Sequence, residues 1–240
     1  MAGQTIYTAR LLKTLPLSDG SRHLEFEVEE LPKFEFTAGQ FVSMKADKAD
    51  GKEITRAYSI ASPPRNDNTF DVCLNRVQLG FFSNYLCDMV EGARVKMHGP
   101  HGYFVLRNPV RDSIFVGTGT GVAPFRSMLH WLYEDPSRNA GHNFWLVFGT
   151  RYLPDLYYHE HFVKMARDYP NFHYVPTLSR ENPGWTGATG YVQEQVKKIA
   201  TGRTDMDAYI CGLKDMVVQN RTMLQELGWD KRSIMFERYD

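Results

Sequence analysis

Cysteine is scarce: the 240 residues hold three, Cys73, Cys87 and Cys211, far apart and without any Cys-x-x-Cys pair. That pattern excludes a disulfide framework and gives no support to a zinc or iron–sulfur site. Net charge is missing as well, because 28 Lys and Arg balance 28 Asp and Glu. No global basic field therefore speaks for nucleic acid, and the usual nucleic-acid-reading motifs do not occur. No apolar run approaches the length needed to span a bilayer, and the first residues lack a charged-then-apolar signal pattern. The expectation is a cytoplasmic protein with no nucleic-acid partner and no membrane span. Internal repeats and low-complexity tracts are absent too. A chain of this length has room for two small domains, each burying its own core.

What is present centres on residues 113–134. A short apolar run (Ile114, Phe115, Val116) predicts a buried strand, and Phe125, Met128, Leu129 and Leu132 recur at helical spacing. Between them lie Gly117, Gly119 and Gly121, with Pro124 where a first-turn proline presets a helix start. Glycines permit positive φ and close backbone approach, and a helix N-terminus offers free N–H groups to an anion such as a pyrophosphate. The spacing is Gly-x-Gly-x-Gly-x-Ala-Pro, with Val122 in the place of the third glycine of the dinucleotide fingerprint. No acidic residue ends the next strand. A phosphate-binding turn and an ordinary strand-to-helix turn are both open from these residues alone. His159 and His161 bracket Glu160, but residues two apart face different sides of a helix, so a solvated helix end is expected there and no metal site.

In the N-terminal half, short runs alternate: Leu11, Leu12 and Leu15, then Leu24, Phe26 and Val28, then Phe41, Val42 and Met44. Turn signals at Ser18-Asp19-Gly20, Leu31-Pro32 and Ala38-Gly39-Gln40 punctuate them. The reading is an antiparallel β-barrel, closed or nearly so, with residues 95–106 as its last hairpin. Arg56-Ala57-Tyr58-Ser59 opens a predicted strand and offers a phosphate-pairing guanidinium, a flat ring and a hydroxyl. That set suits a flavin nucleotide, and it equally suits a surface arginine beside a barrel-lining tyrosine. In Arg76 to Leu86 a strand ends in a glycine turn, after which Ser83 could cap a short helix running to Met89. This is a second candidate anion site or a plain N-cap.

Beyond the glycine turn, strands alternate with helices: a strand over 143–149, a helix over 156–168, a strand over 172–178, a helix over 192–199, a strand over 208–211 and a helix over 214–227. This predicts an α/β doubly wound parallel sheet covered on both faces, with ligands beyond the strand carboxyl ends. The turns at Gly149-Thr150-Arg151, Thr177-Leu178-Ser179-Arg180 and Cys211-Gly212-Leu213-Lys214 then face the ligand. The change of pattern at Asn108-Pro109 divides the chain into residues 1–108 and 109–240.

Arg56-x-Tyr58-Ser59, Gly80-x-x-Ser83, Gly99-Pro100, the stretch from Gly117 to Pro124, Ser179-Arg180 and Tyr209-Ile210-Cys211-Gly212, in this order, resemble the ferredoxin–NADP(+) reductase family. The segment from Ser83 to Asp88 with Gly99-Pro100 is similar to its plant-type branch. The resemblance implies an FAD-binding barrel, an NADP(H)-binding α/β domain and a monomeric enzyme that exchanges hydride with NADP(H) and single electrons with ferredoxin or flavodoxin. It implies that Arg56 pairs with the FAD pyrophosphate, Tyr58 lies against the isoalloxazine, Ser59 hydrogen-bonds the reactive flavin nitrogen, and Gly80 to Ser83, through Phe81 and Phe82, bind the FAD phosphate. Ala57, Cys73, Leu74, Asn75 and Thr120 complete the implied FAD set. Gly119, Thr120, Gly121 and Val122 would meet the NADP pyrophosphate, and Arg151, Ser179, Arg180, Tyr191, Cys211, Gly212 and Leu213 the rest of that nucleotide.

Glu237 and Tyr239 match the family's Glu-x-Tyr ending, with Tyr239 covering the flavin face and Glu237 serving a proton path or the carrier's one-electron form. Ser59, Cys211, Glu237 and Tyr239 are thus the implied catalytic set. Asp240 departs from that ending, and the insertion that stacks on adenine in plastid members is absent, which leaves the FAD conformation open. Cys211 reads as packing for the nicotinamide or as a small buried hydrophobe ending a strand. Alternative functions are the reductase component of an oxygenase, an NAD(P)H:flavin reductase, or a flavin-binding redox sensor without turnover. The retained Cys211, Glu237 and Tyr239 argue against the sensor.

Overall fold

The structure is a computed structural model that describes residues 5–239. Asp240, the departure noted at the C-terminus, lies outside the described residues. Two compact units divide the chain, residues 1–106 with 126–131 and residues 107–125 with 132–240. No helix among the described residues is long and apolar enough to cross a membrane.

The first unit is an antiparallel sheet of β1 (Tyr7–Ser18), β2 (Ser21–Val28), β3 (Phe41–Asp47), β4 (Glu53–Ser59), β5 (Thr69–Asn75) and β6 (Arg94–His101), with helix α1 (Phe81–Cys87) following β5. Asp19-Gly20 is the two-residue connection of the β1–β2 hairpin, where Ser18 faces Ser21. The strand order is β4-β3-β6-β1-β2-β5. The segment after β4 then bridges to β5 through Ile60 and Val72, and Ala61 N donates to Asp71 O at 2.8 Å, so the two edge strands meet and the sheet closes. Alternating side chains fill the inside: Leu11, Leu24, Phe26, Val42, Met44, Phe70, Val72 and Met97 are buried, with Phe34 and Leu86 packed among them. Each such side chain contributes about 1.5–3 kcal/mol by leaving water.

Three expectations for this unit need correction. Residues 95–106 do not form a hairpin. Strand β6 runs straight through Gly99-Pro100 and pairs with β1 on one side and β3 on the other. Gly99 and Pro100 together oppose Val42, a bulge in which the missing proline N–H interrupts nothing. Arg56 to Ser59 close strand β4 and do not open one. Ser83 is not the N-cap of α1 either. Gly80 takes that place, and the Ser83 hydroxyl turns back to accept from Val77 N at 3.0 Å and donate to Gly80 O at 3.3 Å.

The second unit is built on β7 (Ser113–Thr118), which runs through a tight 3-10 turn at Gly119–Val122 into α2 (Ala123–Glu134) and the short α3 (Pro136–Asn139). Strand β8 (Phe144–Thr150), helix α4 (His159–Asp168), β9 (Phe172–Leu178), the two-residue β10 (Ala188–Thr189), α5 (Val192–Ala200), β11 (Asp207–Leu213), α6 (Lys214–Glu226) and β12 (Ile234–Tyr239) follow. The strand order β10-β9-β8-β7-β11-β12, with every pair parallel, is a doubly wound sheet. The chain leaves β7 toward β8 and returns to its other side at β11, so the topological switch lies between β7 and β11. Burial of both faces explains the continuous apolar runs in β7, β8 and β11.

Helix α4 starts at His159 and not at residue 156, because Tyr158 takes a left-handed φ of 61° and ends the preceding turn. His159 is not a solvated end: it is half-buried, its Nδ1 lies 3.2 Å from the Tyr174 hydroxyl, and its ring packs on that of Tyr174. Strands β10 and β12 were not among the predicted elements.

Candidate nucleotide-binding sites

In the first unit, β4 and α1 bring two sequence motifs together. Arg56 and Tyr58 share one face of β4 by the two-residue period, and the Tyr58 ring lies 6.0 Å from that of Phe82 in α1. Arg56 is exposed, its guanidinium donates only to Thr55 O at 2.8 Å, and it makes no ion pair among the described residues. Burial pushes the Tyr58 phenol well above its ordinary value, so the ring enters any contact neutral. Ser59 is buried at the end of the strand. The cation, ring and hydroxyl fit an anionic, planar group such as FAD.

The turn into α1 supplies the other half. Gly80 N donates to Val77 O at 2.9 Å, closing a turn whose third residue, Leu79, has φ 63° and is 97% exposed. A Cβ on Gly80 would come within 2.8 Å of Ser83 Oγ, so this position is built for glycine. Phe82 is buried and Phe81 stacks on Tyr85. Cys73 and Leu74 are buried in the core, so they could reach a ligand only through backbone, whereas Asn75 is exposed. Ala57 is exposed beside Arg56.

Charge is buried in this unit on β5. Asp71 accepts both Arg65 donors at 2.9 Å and lies 3.4 Å from Arg126, in the part of α2 counted with this unit. His23 Nε2 is 3.6 Å from the same carboxylate, which by distance alone would make an ion pair. Burial outweighs that attraction, and Arg126 and Arg65 oppose it, so the His23 pKa falls to about 4.

In the second unit the candidates gather at the carboxyl edge of the sheet in two groups. Around the switch point, Gly117, Gly119 and Gly121 have three different duties. A Cβ on Gly117 would sit 3.2 Å from the Phe125 ring. Gly119 takes φ 54° and faces open space. A Cβ on Gly121 would lie 2.3 Å from Cys211 O. The turn thus presses its backbone onto the end of β11 while leaving an open cradle at Gly119, with Thr120 half-buried and Val122 buried behind it. Thr118, which sequence reasoning passed over, has a buried Oγ1 with no hydrogen-bond partner among the described residues. It lies 2.5 Å from where a Cβ of Gly212 would be, at φ 145°. Thr118 is the last residue of β7, and its residue type gave no signal. A polar atom without a partner beside a glycine cradle fits a nucleotide phosphate.

Strand β12 pairs with β11 in register, Cys211 with Glu237 and Leu213 with Tyr239. Cys211 is fully buried. Burial and the Glu237 charge push its thiol well above the ordinary range, against a smaller opposing effect of a hydrogen bond with Tyr239. That direction favours the neutral thiol over the thiolate that a nucleophile needs. The second group lies at the ends of β8 and β9. Ser179 N donates to Thr150 O and Gly190 N to Leu178 O, both at 2.9 Å, which brings Arg151, Ser179, Arg180 and the 62% exposed Tyr191 to one edge. Arg151 and Arg180 are exposed and pair with no carboxylate among the described residues. Among the described residues no three His, Cys, Asp or Glu side chains cluster in a way that could hold a metal ion.

Two domain families match the chain in succession. Residues 8–106 match the "Oxidoreductase FAD-binding domain" family and residues 115–221 the "Oxidoreductase NAD-binding domain" family. The chain is 39% identical over 243 residues to ferredoxin–NADP reductase B of Sorangium cellulosum (strain So ce56), covering 98% of each protein. It is 32% identical over 209 residues to the reductase component DmpP of phenol 2-monooxygenase from Pseudomonas sp. (strain CF600), across 85% of this chain and 58% of that protein's length. Its fold matches the crystal structure of a ferredoxin NADP+ reductase from Neisseria gonorrhoeae with bound FAD and NADP at a TM-score of 0.84, with 21% identity and coverage of 98% and 99%. With an FAD-binding and an NAD(P)-binding domain in that order and a relative aligned from end to end, the chain belongs to the ferredoxin–NADP(+) reductase-like family of FAD- and NAD(P)-dependent electron-transfer oxidoreductases.

Proposed function

We propose that the protein is a ferredoxin or flavodoxin reductase that uses NADPH, with residues 1–108 as its flavin half and 109–240 as its nucleotide half. The observation that carries this reading is the near-complete alignment, in both directions, with a relative named a ferredoxin–NADP reductase. When bound, FAD accepts a hydride as one two-electron event and releases electrons singly, which suits it to join a nicotinamide to a one-electron carrier. The chain's own residues position and tune it. Arg56 and the Gly80 to Ser83 turn hold the pyrophosphate, with Ala57, Cys73, Leu74, Asn75 and Thr120 completing the contact surface. Tyr58 supports the ring system and the Ser59 hydroxyl meets the reactive nitrogen. Gly119 to Val122 receive the nucleotide pyrophosphate and Cys211 to Leu213 the nicotinamide end. The protonated Cys211 packs without attacking, Glu237 serves a proton path, and the Tyr239 ring shields the site.

Arg180 with Ser179 and Tyr191 takes the adenosine end. A charge-assisted contact with the 2′-phosphate is worth about 1.5–3 kcal/mol, or roughly tenfold to more than a hundredfold in affinity. Stopped-flow reduction by NADPH and NADH, followed by re-oxidation with ferredoxins and flavodoxins, tests nucleotide and carrier together. The expected result is faster reduction by NADPH and turnover with at least one carrier, with Arg180→Ala eroding the preference mainly through KM. Equal kcat/KM for the two nucleotides, or no transfer to any ferredoxin or flavodoxin, would overturn it. A second reading, the reductase component of an oxygenase, is favoured by relatives such as the phenol 2-monooxygenase component, of which the chain spans 58%.

A further inference from the structure

One side chain outside the sequence motifs joins the two arginine-bearing loops. Asn182 Oδ1 accepts from Leu153 N at 3.0 Å, and its Nδ2 donates to Arg180 O at 2.7 Å and to Arg151 O at 3.4 Å. Its own carbonyl accepts from Trp185 N at 3.0 Å. The loop after β8 and the loop after β9 are otherwise tied here by the Ser179 N to Thr150 O bond. The carboxamide thus offers an acceptor to one loop and donors to both. An amide has this double capacity and a carboxylate does not. Because all of these bonds go to backbone, the Arg151 and Arg180 guanidinium groups stay exposed and without carboxylate partners among the described residues.

We propose that Asn182 is a positioning residue for nucleotide discrimination: it fixes the backbone at Arg151 and Arg180 so that both guanidinium groups meet the 2′-phosphate of NADP(H). The proposal rests on the NADP(H) reading given above. An arginine on a loose loop must lose backbone as well as side-chain freedom when it grips a phosphate, and a pre-fixed loop removes the first of these costs. The ligand feature that gains is the one the arginines touch. Adenine, ribose and nicotinamide contacts elsewhere gain nothing from Asn182.

The test uses the full-length, FAD-loaded protein and two probes, 2′,5′-ADP and 5′-AMP, which differ by the 2′-phosphate. Calorimetric titration of the parent should show a clear preference for 2′,5′-ADP. Asn182→Ala should cut that preference about three- to tenfold while 5′-AMP binds as before. It should also raise the KM for NADPH more than it lowers kcat. In a background lacking both guanidinium groups, Arg151→Ala with Arg180→Ala, the same change should move the preference less than about twofold, because a residue acting through these two arginines then has nothing left to position. An unchanged preference in Asn182→Ala, an equal loss for both probes, or a full effect that persists when both Arg151 and Arg180 are alanine would each overturn the proposal. If the parent itself does not discriminate between the probes, the NADP(H) reading falls and takes this proposal with it, whereas a discriminating parent with an indifferent Asn182→Ala overturns the proposal alone.

Discussion

Replacing the three glycines of the β7–α2 turn by alanine, one at a time, separates packing from strain. At Gly121 the added methyl would lie 2.3 Å from Cys211 O, 2.7 Å from Cys211 C and 3.0 Å from Gly212 Cα, all backbone atoms. The first distance is about 1 Å short of ordinary contact, and backbone held in a parallel ladder between β7 and β12 cannot swing aside as a side chain can. Either the turn lifts off β11 or the end of β11 shifts. Overpacking of this kind costs about 1–3 kcal/mol, and backbone opposition puts Gly121→Ala at or above the top of that range. At Gly119 the methyl meets nothing within 4 Å, so the cost is the left-handed φ of 54°, about 1–2 kcal/mol. At Gly117 the obstacle is the Phe125 ring at 3.2 Å, which gives by a few tenths of an ångström, and the cost is about 1 kcal/mol or less.

The expected order of destabilisation in urea unfolding of the FAD-loaded protein is therefore Gly121 well above Gly119, with Gly117 at or below Gly119. Binding of NADP+ separates the same series differently. Gly121→Ala displaces the end of β11 at Cys211 and should weaken binding in step with stability. Gly119→Ala puts a methyl in the open cradle, so its binding loss should exceed what its stability loss implies. If Gly121→Ala is no more destabilising than Gly119→Ala, the close approach between the turn and β11 does not hold, and the assignment of duties among the glycines fails with it.

Leu79→Gly should raise the stability of the apoprotein by about 0.5–1 kcal/mol, since the left-handed penalty removed exceeds the entropy cost of glycine and the 97% exposed side chain gives up no packing; a loss of stability by thermal melting would show that Leu79 packs on something. For His23 the folded-state pKa lies at about 4, below its ordinary 6.5, so the unfolded chain binds the extra proton between those values. Its contribution to stability is complete above pH 6.5 and is lost as pH falls toward 4, reaching about 3 kcal/mol. Asp71, Arg65, Arg126 and Lys13 face it, and His23→Gln should flatten that limb of the stability profile; an unchanged limb would refute the assignment. If the Tyr239 ring competes with the nicotinamide for one stacking surface, Tyr239→Ser should tighten NADP+ binding by about 0.5–1.5 kcal/mol, and unchanged affinity with FAD fully retained would refute it.

The parts of the fold that were legible in the sequence are those written in local period and punctuation. Residues 172–178 read as a strand because the whole signal, alternation and flanking turn, lies within a few residues, and the structure places β9 on the same bounds. Strand β12 escaped because nothing local marks a six-residue edge strand. It exists through parallel pairing with β11, more than twenty residues upstream, and only the fold supplies that partner. Ser83 misled for the opposite reason. A serine at a helix start is a good local signal for a cap, but the turn at Leu79 brings Val77 N within 3.0 Å of its hydroxyl, and a hydrogen bond across the turn took the place of a cap.

The same contrast applies to the candidate sites. Glycine spacing pointed to the turn after β7, since the need for positive φ or close approach is inscribed in residue type; what Gly121 approaches is the end of β11, nearly a hundred residues away. Thr118 and Asn182 carry no such mark. A threonine ending a strand and an asparagine in a loop are common residues, and their interest comes wholly from what surrounds them, a hydroxyl left without a partner among the described residues at the switch point and an amide divided between two loops. Residues that touch a ligand through backbone leave a signature in the sequence because side chains must be absent there. Residues that hold other residues in place leave one only in three dimensions, which is why Asn182 could be found from the hydrogen bonds alone.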